Sequence, residues 1–421
     1  MAQVFSAPGK ALVAGGYLVL DPAYNAYVTA LSSRMHAVIE DSTVSDISRV
    51  SISSPQFGGK WEYLIEGCHV RESQNQNNPF LASAIRCAVA YAAPSAPFSA
   101  TITLFSDPGY HTQENTTRHT SDGCKKTFLY HTAPVEHVPK TGMGSSAGLV
   151  TVVTAALLAR LTGRPLAELR EVVHNVAQVA HCAAQGKVGS GFDVAAAVFG
   201  SIVYRRFPPS TIAPLLEADD SVFPNLIRQC ADATWNFDHI ACALPAGIRL
   251  IMGDVNGGSE TPRLVAKVLS WRSSDAASAG VYSSLDAANN SFVAALEHLH
   301  SQYRDGEKAY WENFERNVQP VAAALGRIRA GLQQLTASSG AEVEPPEQTV
   351  LLDQCTELPG CLGGVVPGAG GYDAVCLLVE EQKLQEFSEA AKSLPVTWLD
   401  LAEEAEGLIE GNPADYAGLP R

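Results

Sequence analysis

Residues 145–161 are apolar almost all the way round, relieved only by small hydroxyl residues and by Arg160. A helix without a polar face has to be enclosed on every side. Its most apolar part, 149–158, falls short of the ~20 residues that span a bilayer and runs into Arg160. No membrane role is therefore expected, and the helix should sit in a protein core with other layers built around it. The chain has the material for that, since 46% of its 421 residues are hydrophobic and 17% are charged, ordinary values for a globular protein. The length exceeds what one core usually organises, so two domains are expected.

The pattern around this helix mixes strands and helices. Short alternating runs predict strands at 4–6, 10–14, 17–20, 26–31, 37–39, 51–52, 62–65 and 100–105. Pro79 opens a predicted helix over 79–92, and a second helix, 166–185, follows the Gly163–Pro165 break. Residues 110–126 are polar and aperiodic, and are expected to form a mobile surface loop. A strand at 200–207 leads to Pro208, Pro209 and the acidic run 217–220. That run marks a domain seam, which divides the chain into 1–220 and 221–421. Beyond it come strands at 247–255, 374–379 and 396–401, and helical patterns at 262–271, 286–303, 307–335 and 381–393. Residues 338–348 read as an exposed loop, and the Gly- and Pro-rich tail after Gly407 is expected to fray. Strands and helices do not alternate as a βαβ ladder would, so the fold class is α+β in two domains.

The net charge of −15 argues against nucleic acid or an anionic membrane as a partner. It also means that an anionic small molecule could be held only by a local cluster of donors. Nine scattered cysteines with no CxxC spacing read as reduced thiols of a cytoplasmic protein, without a structural zinc. The apolar stretch 11–20 follows no basic segment and is broken by Gly15 and Gly16, which is a poor signal peptide.

Three glycine-rich segments carry the chemistry. The central one reads Pro139-Lys-Thr-Gly-Met-Gly-Ser-Ser-Ala147 and opens directly into the apolar helix. Gly142 and Gly144 let the backbone turn tightly, and the helix start aims unpaired N–H groups and a positive dipole end at one point. Phosphate suits such a point, with Lys140, Thr141, Gly142, Met143, Gly144, Ser145, Ser146 and Ala147 as candidate contacts. Read alone, the segment is equally compatible with an ordinary turn capped by serine. It is neither a Walker A loop nor a dinucleotide fingerprint. The second segment, Gly363-Gly-Val-Val-Pro-Gly-Ala-Gly-Gly-Tyr-Asp373, enters a strand, and alone would be a structural bend. The third, Ala7-Pro-Gly-Lys-Ala-Leu-Val-Ala-Gly-Gly-Tyr17, sets Lys10 among β segments.

In this order and spacing the three segments resemble the signature motifs of the GHMP kinases, and the match spans nearly the whole chain. Lys187-Val-Gly-Ser-Gly-Phe-Asp193 falls where that superfamily often carries its catalytic Asp. Within the superfamily the opening 7–21, the loop 140–150 and the segment 188–194 resemble the fungal type of the phosphomevalonate kinase family. The Pro-Pro-Gly-Ala-Gly-Leu-Gly loop usual in mevalonate kinases is absent, and Met143 replaces a commoner Leu. Gly257-Gly-Ser-Glu-Thr-Pro-Arg263 resembles a further element of that family, with Thr261 as N-cap, Pro262 at N1, and Arg263 or Lys267 nearby.

The resemblance implies a fold with a ribosomal protein S5 domain 2-like N-terminal domain and a ferredoxin-like C-terminal domain. It implies transfer from ATP, with Mg²⁺, to a small phosphorylated acid. Lys10 and Asp193 would be catalytic, and 140–147 would hold the ATP phosphates with Ser145 or Ser146 on the metal. Lys10, Ser259, Thr261, Gly368, Ala369 and Gly370 would face the acceptor. Mevalonate kinase, diphosphomevalonate decarboxylase and a silent nucleotide sensor remain as alternatives; the presence of both Lys10 and Asp193 speaks against the sensor.

Overall fold

The computed structural model describes residues 2–43, 46–73, 76–255 and 261–421. Its N-terminal part is organised by two long strands. Gln3–Ala14 and the 16-residue Ala26–Asp41 pair antiparallel along most of their length. The other short strands expected in the first forty residues are therefore segments of these two, and in place of the strand at 17–20 there is a 3₁₀ turn, Leu18–Leu20, preceded by Tyr17 at φ 63°. The other edge of Ala26–Asp41 pairs with Ile202–Arg205 near its start and with Ser99–Ser106 near its end. Ser48–Ser54, Gly59–Glu66 and His69–Glu72 extend the sheet beyond Ser99–Ser106. Only the Ser48–Ser54 to Ser99–Ser106 pairing is parallel among the described strands, because helix Pro79–Ala92 carries the crossover between them.

Helices Pro79–Ala92, Ser145–Thr162 and Leu166–Gln185 cover the sheet with a continuous apolar core. Ser145–Thr162 is the one described helix long and apolar enough to cross a membrane. Twelve of its 18 residues are buried inside the protein instead.

The C-terminal part is a four-stranded antiparallel sheet in the order Cys361–Val365, Ala374–Glu380, Ile248–Asp254, Thr397–Leu399. Alternation decides its two faces. Ala374, Cys376 and Leu378 meet helices Ser278–Asp305 and Gln319–Ser339, while Val375, Leu377 and Val379 meet Pro346–Thr356 and Leu384–Ala391. The first of these cores reaches across to Ala11, Val13, Tyr17, Tyr27 and Met143, so the two halves share one apolar seam. Within it Tyr27 meets Phe292 edge to face at 5.4 Å. The two-domain α+β fold class stands.

Several expectations change. The boundary at 220/221 cuts through the first domain's packing. Helix Phe223–Asp232 lies on the N-terminal core through Phe223 and Ile227, and Asp238–Ala241 pairs with Ile202–Arg205. Residues 116–131 form a hairpin, Thr116–Thr120 with Thr127–His131, held through buried Phe128 and Leu129. Residues 341–344 are not an exposed loop: Ala341, Val343 and Glu344 are buried, with Arg329 Nε donating to Glu344 Oε1 at 2.8 Å.

The tail does not fray. Ile409–Gly411 pairs with Gln3–Ala14 along its free edge, and buried Leu408 and Tyr416 dock on the first domain. Tyr416 Oη lies 2.9 Å from His36 Nδ1, and Arg170 Nη1 donates to the carbonyls of Val198 and Leu408 at 2.9 Å each. Where the tail crosses Gly200 the backbones are too close for a side chain. Gly200 has φ 89°, and a Cβ there would lie 1.9 Å from the Ala405 carbonyl oxygen. Gly200→Ala is therefore expected to lower stability by ~3 kcal/mol, as the sum of a positive-φ penalty and backbone displacement. Urea unfolding would show it as a reduced midpoint; an unchanged midpoint would mean that the tail is not fixed there.

Candidate functional site

Lys10 follows an irregularity in its strand. The ladder pairs Pro8 with Arg34 but Gly9 with Leu31. Proline supplies no N–H to the ladder, and such a bulge re-aims the side chains beyond it. Lys10 leaves the sheet toward the central loop, where its backbone N–H donates to Met143 O at 3.1 Å and Nζ donates to Gly142 O at 2.8 Å.

The loop is pinned from below. Thr141 Oγ1 donates to Gly109 O at 2.6 Å, and Met143 is buried. Gly142 and Gly144 both have positive φ, 75° and 80°. A Cβ on Gly144 would sit 3.1 Å from Lys10 Cε and 3.9 Å from Asp193 Cβ, so the lysine and the aspartate converge on this glycine. Helix Ser145–Thr162 begins at once, and its first hydrogen bond runs from Gly148 N to Gly144 O. The N–H groups of Ser145, Ser146 and Ala147 thus point forward without helical acceptors.

Asp193 is the second residue of helix Phe192–Phe199, which starts on Gly191 at φ 79°. One carboxylate oxygen accepts from Val194 N at 2.9 Å, and the other lies 3.8 Å from His181 Nδ1. His181 Nε2 lies 3.1 Å from Ser146 Oγ. Burial lowers the Lys10 pKa from its usual value, and the Asp193 charge opposes that shift.

These groups line a cleft of about 840 Å³ between the two sheets. Its walls include Lys10, 140–146, 187–193, Thr261, Pro262 and 366–370, so segments far apart in sequence meet at one place. Tyr17 closes the back, with its hydroxyl donating to Ala369 O at 2.6 Å across the two halves. Among the described lining residues four basic ones, Lys10, Lys140, Lys187 and Arg206, face two acidic ones, Asp193 and Asp373. The acidic chain therefore carries a locally basic cleft suited to anions.

The candidate residues among those described line this cleft, apart from Arg263, Lys267 and Ala147, the last with its side chain buried in the core. Ser259 lies outside the described residues. Thr261 is the first residue of helix Thr261–Ser274 rather than its cap, and Lys267 turns away to donate to Gly340 O at 3.1 Å. Neither Arg263 nor Lys267 reaches the cleft wall.

The local sequence gives no role to Tyr17, His181, Gln185 or Arg206. His181 and Gln185 share one helix face at an i, i+4 spacing just ahead of the Asp193 turn, but the buried pair His174 and Gln178 has the same spacing, so it marks no site.

The GHMP kinases N terminal domain family model matches residues 116–201, and the GHMP kinases C terminal model matches 312–395. The structure superimposes on the phosphomevalonate kinase of Streptococcus pneumoniae in complex with phosphomevalonate and AMPPNP, with a TM-score of 0.64. That alignment has 17% identity and covers 96% of this chain and all of that one. Fold and cleft together define a GHMP kinase. The chain is 48% identical to phosphomevalonate kinase of Candida albicans over the full length of both, and 34% identical to that of Aspergillus fumigatus over 96% of this chain and 92% of the relative. The chain belongs to the phosphomevalonate kinase family.

Proposed function

We propose that this protein transfers the γ-phosphoryl group of ATP to the phosphate of 5-phosphomevalonate, giving ADP and 5-diphosphomevalonate. This is a step of the mevalonate route to isoprenoids and sterols, and we place it in the cytoplasm. The observation that carries the reading is the convergence of Lys10, the loop 140–147 and Asp193 at one basic cleft.

The N–H groups of 144–147 would hold the β- and γ-phosphates, aided by Lys140. Met143 would serve through its backbone N–H, since its side chain is buried, and Thr141 would hold the loop in place, its hydroxyl donating to Gly109 O and its N–H to Tyr110 O. Lys10 would neutralise charge on the phosphoryl group in flight, which is electrostatic work and requires no covalent intermediate. Thr261, Gly368, Ala369 and Gly370 would shape the acceptor side, with Ser259 nearby in sequence.

No group of three or more His, Cys, Asp or Glu among the described residues could hold a metal alone. That fits Mg²⁺ carried in with a nucleotide, because this ion keeps its waters and takes most other ligands from phosphates. Ser145 and Ser146 would supply hydroxyl oxygens. An ion held by them would supply positive charge to offset that of the nucleotide phosphates.

Acceptor choice tests the proposal. Phosphomevalonate should exceed mevalonate in kcat/KM by ~100-fold, equivalent to about 2.7 kcal/mol of transition-state binding. Similar values for the two would point to mevalonate kinase chemistry, and ATP-dependent release of carbon dioxide to the decarboxylase.

A further inference from the structure

His181 stands between two residues of the site and has no assigned part in it. It projects from helix Leu166–Gln185 and is 5% exposed. The Phe80 ring packs against it with centroids 5.5 Å apart. Its Nδ1 side faces Asp193 Oδ2 at 3.8 Å and its Nε2 side faces Ser146 Oγ at 3.1 Å, while the Gln185 amide nitrogen is near both ring nitrogens, 3.2 Å from Nε2 and 3.5 Å from Nδ1. A carboxylate only accepts, so the Asp193 charge favours the tautomer with its proton on Nδ1 and a free lone pair on Nε2.

From this arrangement we infer that His181 is a positioning residue for the metal–nucleotide complex, acting through Ser146. With Nε2 as acceptor, the Ser146 hydroxyl donates its single proton to the ring. Both oxygen lone pairs are then turned away from the imidazole and offered to an electron-poor partner such as a divalent cation. A serine free to rotate would instead present its proton to a phosphate oxygen. His181 thus commits Ser146 to metal ligation, in the way that outer partners orient the groups that touch a metal. Among the described residues the site has no cluster of carboxylates to hold the ion independently, so the orientation of one hydroxyl matters more than it would in an acidic cage. The other face of the ring keeps the Asp193 carboxylate within reach of the same unit.

This inference rests on the loop 140–147 being the nucleotide site, and the experiment separates the two. ADP binding would be measured by calorimetry with and without Mg²⁺, for the wild type, His181→Leu, His181→Asn, His181→Gln and Ser146→Ala. His181→Leu should weaken Mg-ADP by ~10-fold or more, the usual effect of losing such an orienting partner, while metal-free ADP is held as before. His181→Asn is too short to reach Ser146 and should behave likewise, which keeps the test intact if the leucine variant folds poorly. His181→Gln can still accept from Ser146 and should retain most of the Mg-ADP affinity. Ser146→Ala combined with His181→Leu should be no weaker than either alone, because both remove the same oriented oxygen. Equal losses with and without Mg²⁺, or additive losses in the double variant, would overturn the role of His181. Failure of the wild type to bind ADP at all would overturn the nucleotide site itself.

Discussion

Replacing Lys10 by methionine is expected to lower kcat by about 10²–10³ with little change in the KM for ATP, the pattern for a charge that acts on the transition state. Methionine keeps most of the length and the apolar contact beside Phe192, whose ring centroid lies 5.6 Å from Nζ, but carries no charge. Stability should not fall with activity. Burial holds the Lys10 pKa below its usual value in the folded protein, so the charged amine is less favoured in the folded than in the unfolded state. The ionised lysine therefore disfavours folding at all pH values below its folded pKa, and this cost fades as pH rises toward the unfolded value. Removing the charge relieves that cost at neutral pH, and the melting temperature should stay level or rise. Steady-state kinetics and a thermal melt on the same preparation check both halves. A fully active Lys10→Met protein would return Lys10 to the status of a structural residue.

Asp193→Asn should also lower kcat by about 10²–10³, and its pH profile tells what the carboxylate does. Kinases that phosphorylate an alcohol need help in removing a proton. Here the proposed acceptor is a phosphate monoester whose second pKa is about 6, so it is already mostly a dianion at neutral pH. We expect Asp193 to orient Lys10 and the acceptor, and the acidic limb of kcat/KM to belong to the acceptor. That limb should remain near pH 6 in Asp193→Asn. The alkaline limb should move to lower pH, because the Asp193 charge is what raises the Lys10 pKa against burial. A pH series with subsaturating phosphomevalonate and saturating ATP decides the matter. An acidic limb displaced in the variant would make Asp193 the proton acceptor.

Much of this site could be read from the sequence because glycine leaves a local record. Gly142 and Gly144 are required by backbone geometry at positive φ, and the apolar helix behind them fixes which way the loop faces. What the sequence could not supply was direction within the loop. The motif marks 140–147 as one block of contacts, whereas Thr141 points down to Gly109 and Ala147 into the core. His181 was hidden for a related reason. In an amphipathic helix with thirteen buried residues, a histidine facing a ligand and one facing the core have the same local surroundings. Only the tertiary approach of Ser146 and Asp193 distinguishes them. The hairpin 116–131 escaped because its polar residues lie on both faces, leaving Phe128 and Leu129 as a signal too short to carry a period. The tail escaped because Leu408, Tyr416 and Leu419 are anchors spaced too irregularly for any repeat, amid glycine and proline.

The pairing of Ile409–Gly411 with Gln3–Ala14 bears on how the chain is made. A ribosome adding about 5–20 residues per second needs roughly 20–80 s to travel from the first of these strands to the other. Throughout that interval the outer edge of Gln3–Ala14 near residues 4–6 is an open template for strand addition, and open edges recruit whatever strand arrives first. The amino-terminal half is thus denied completion while it is still emerging, and nascent chains crowded on one message are exposed to pairing with each other.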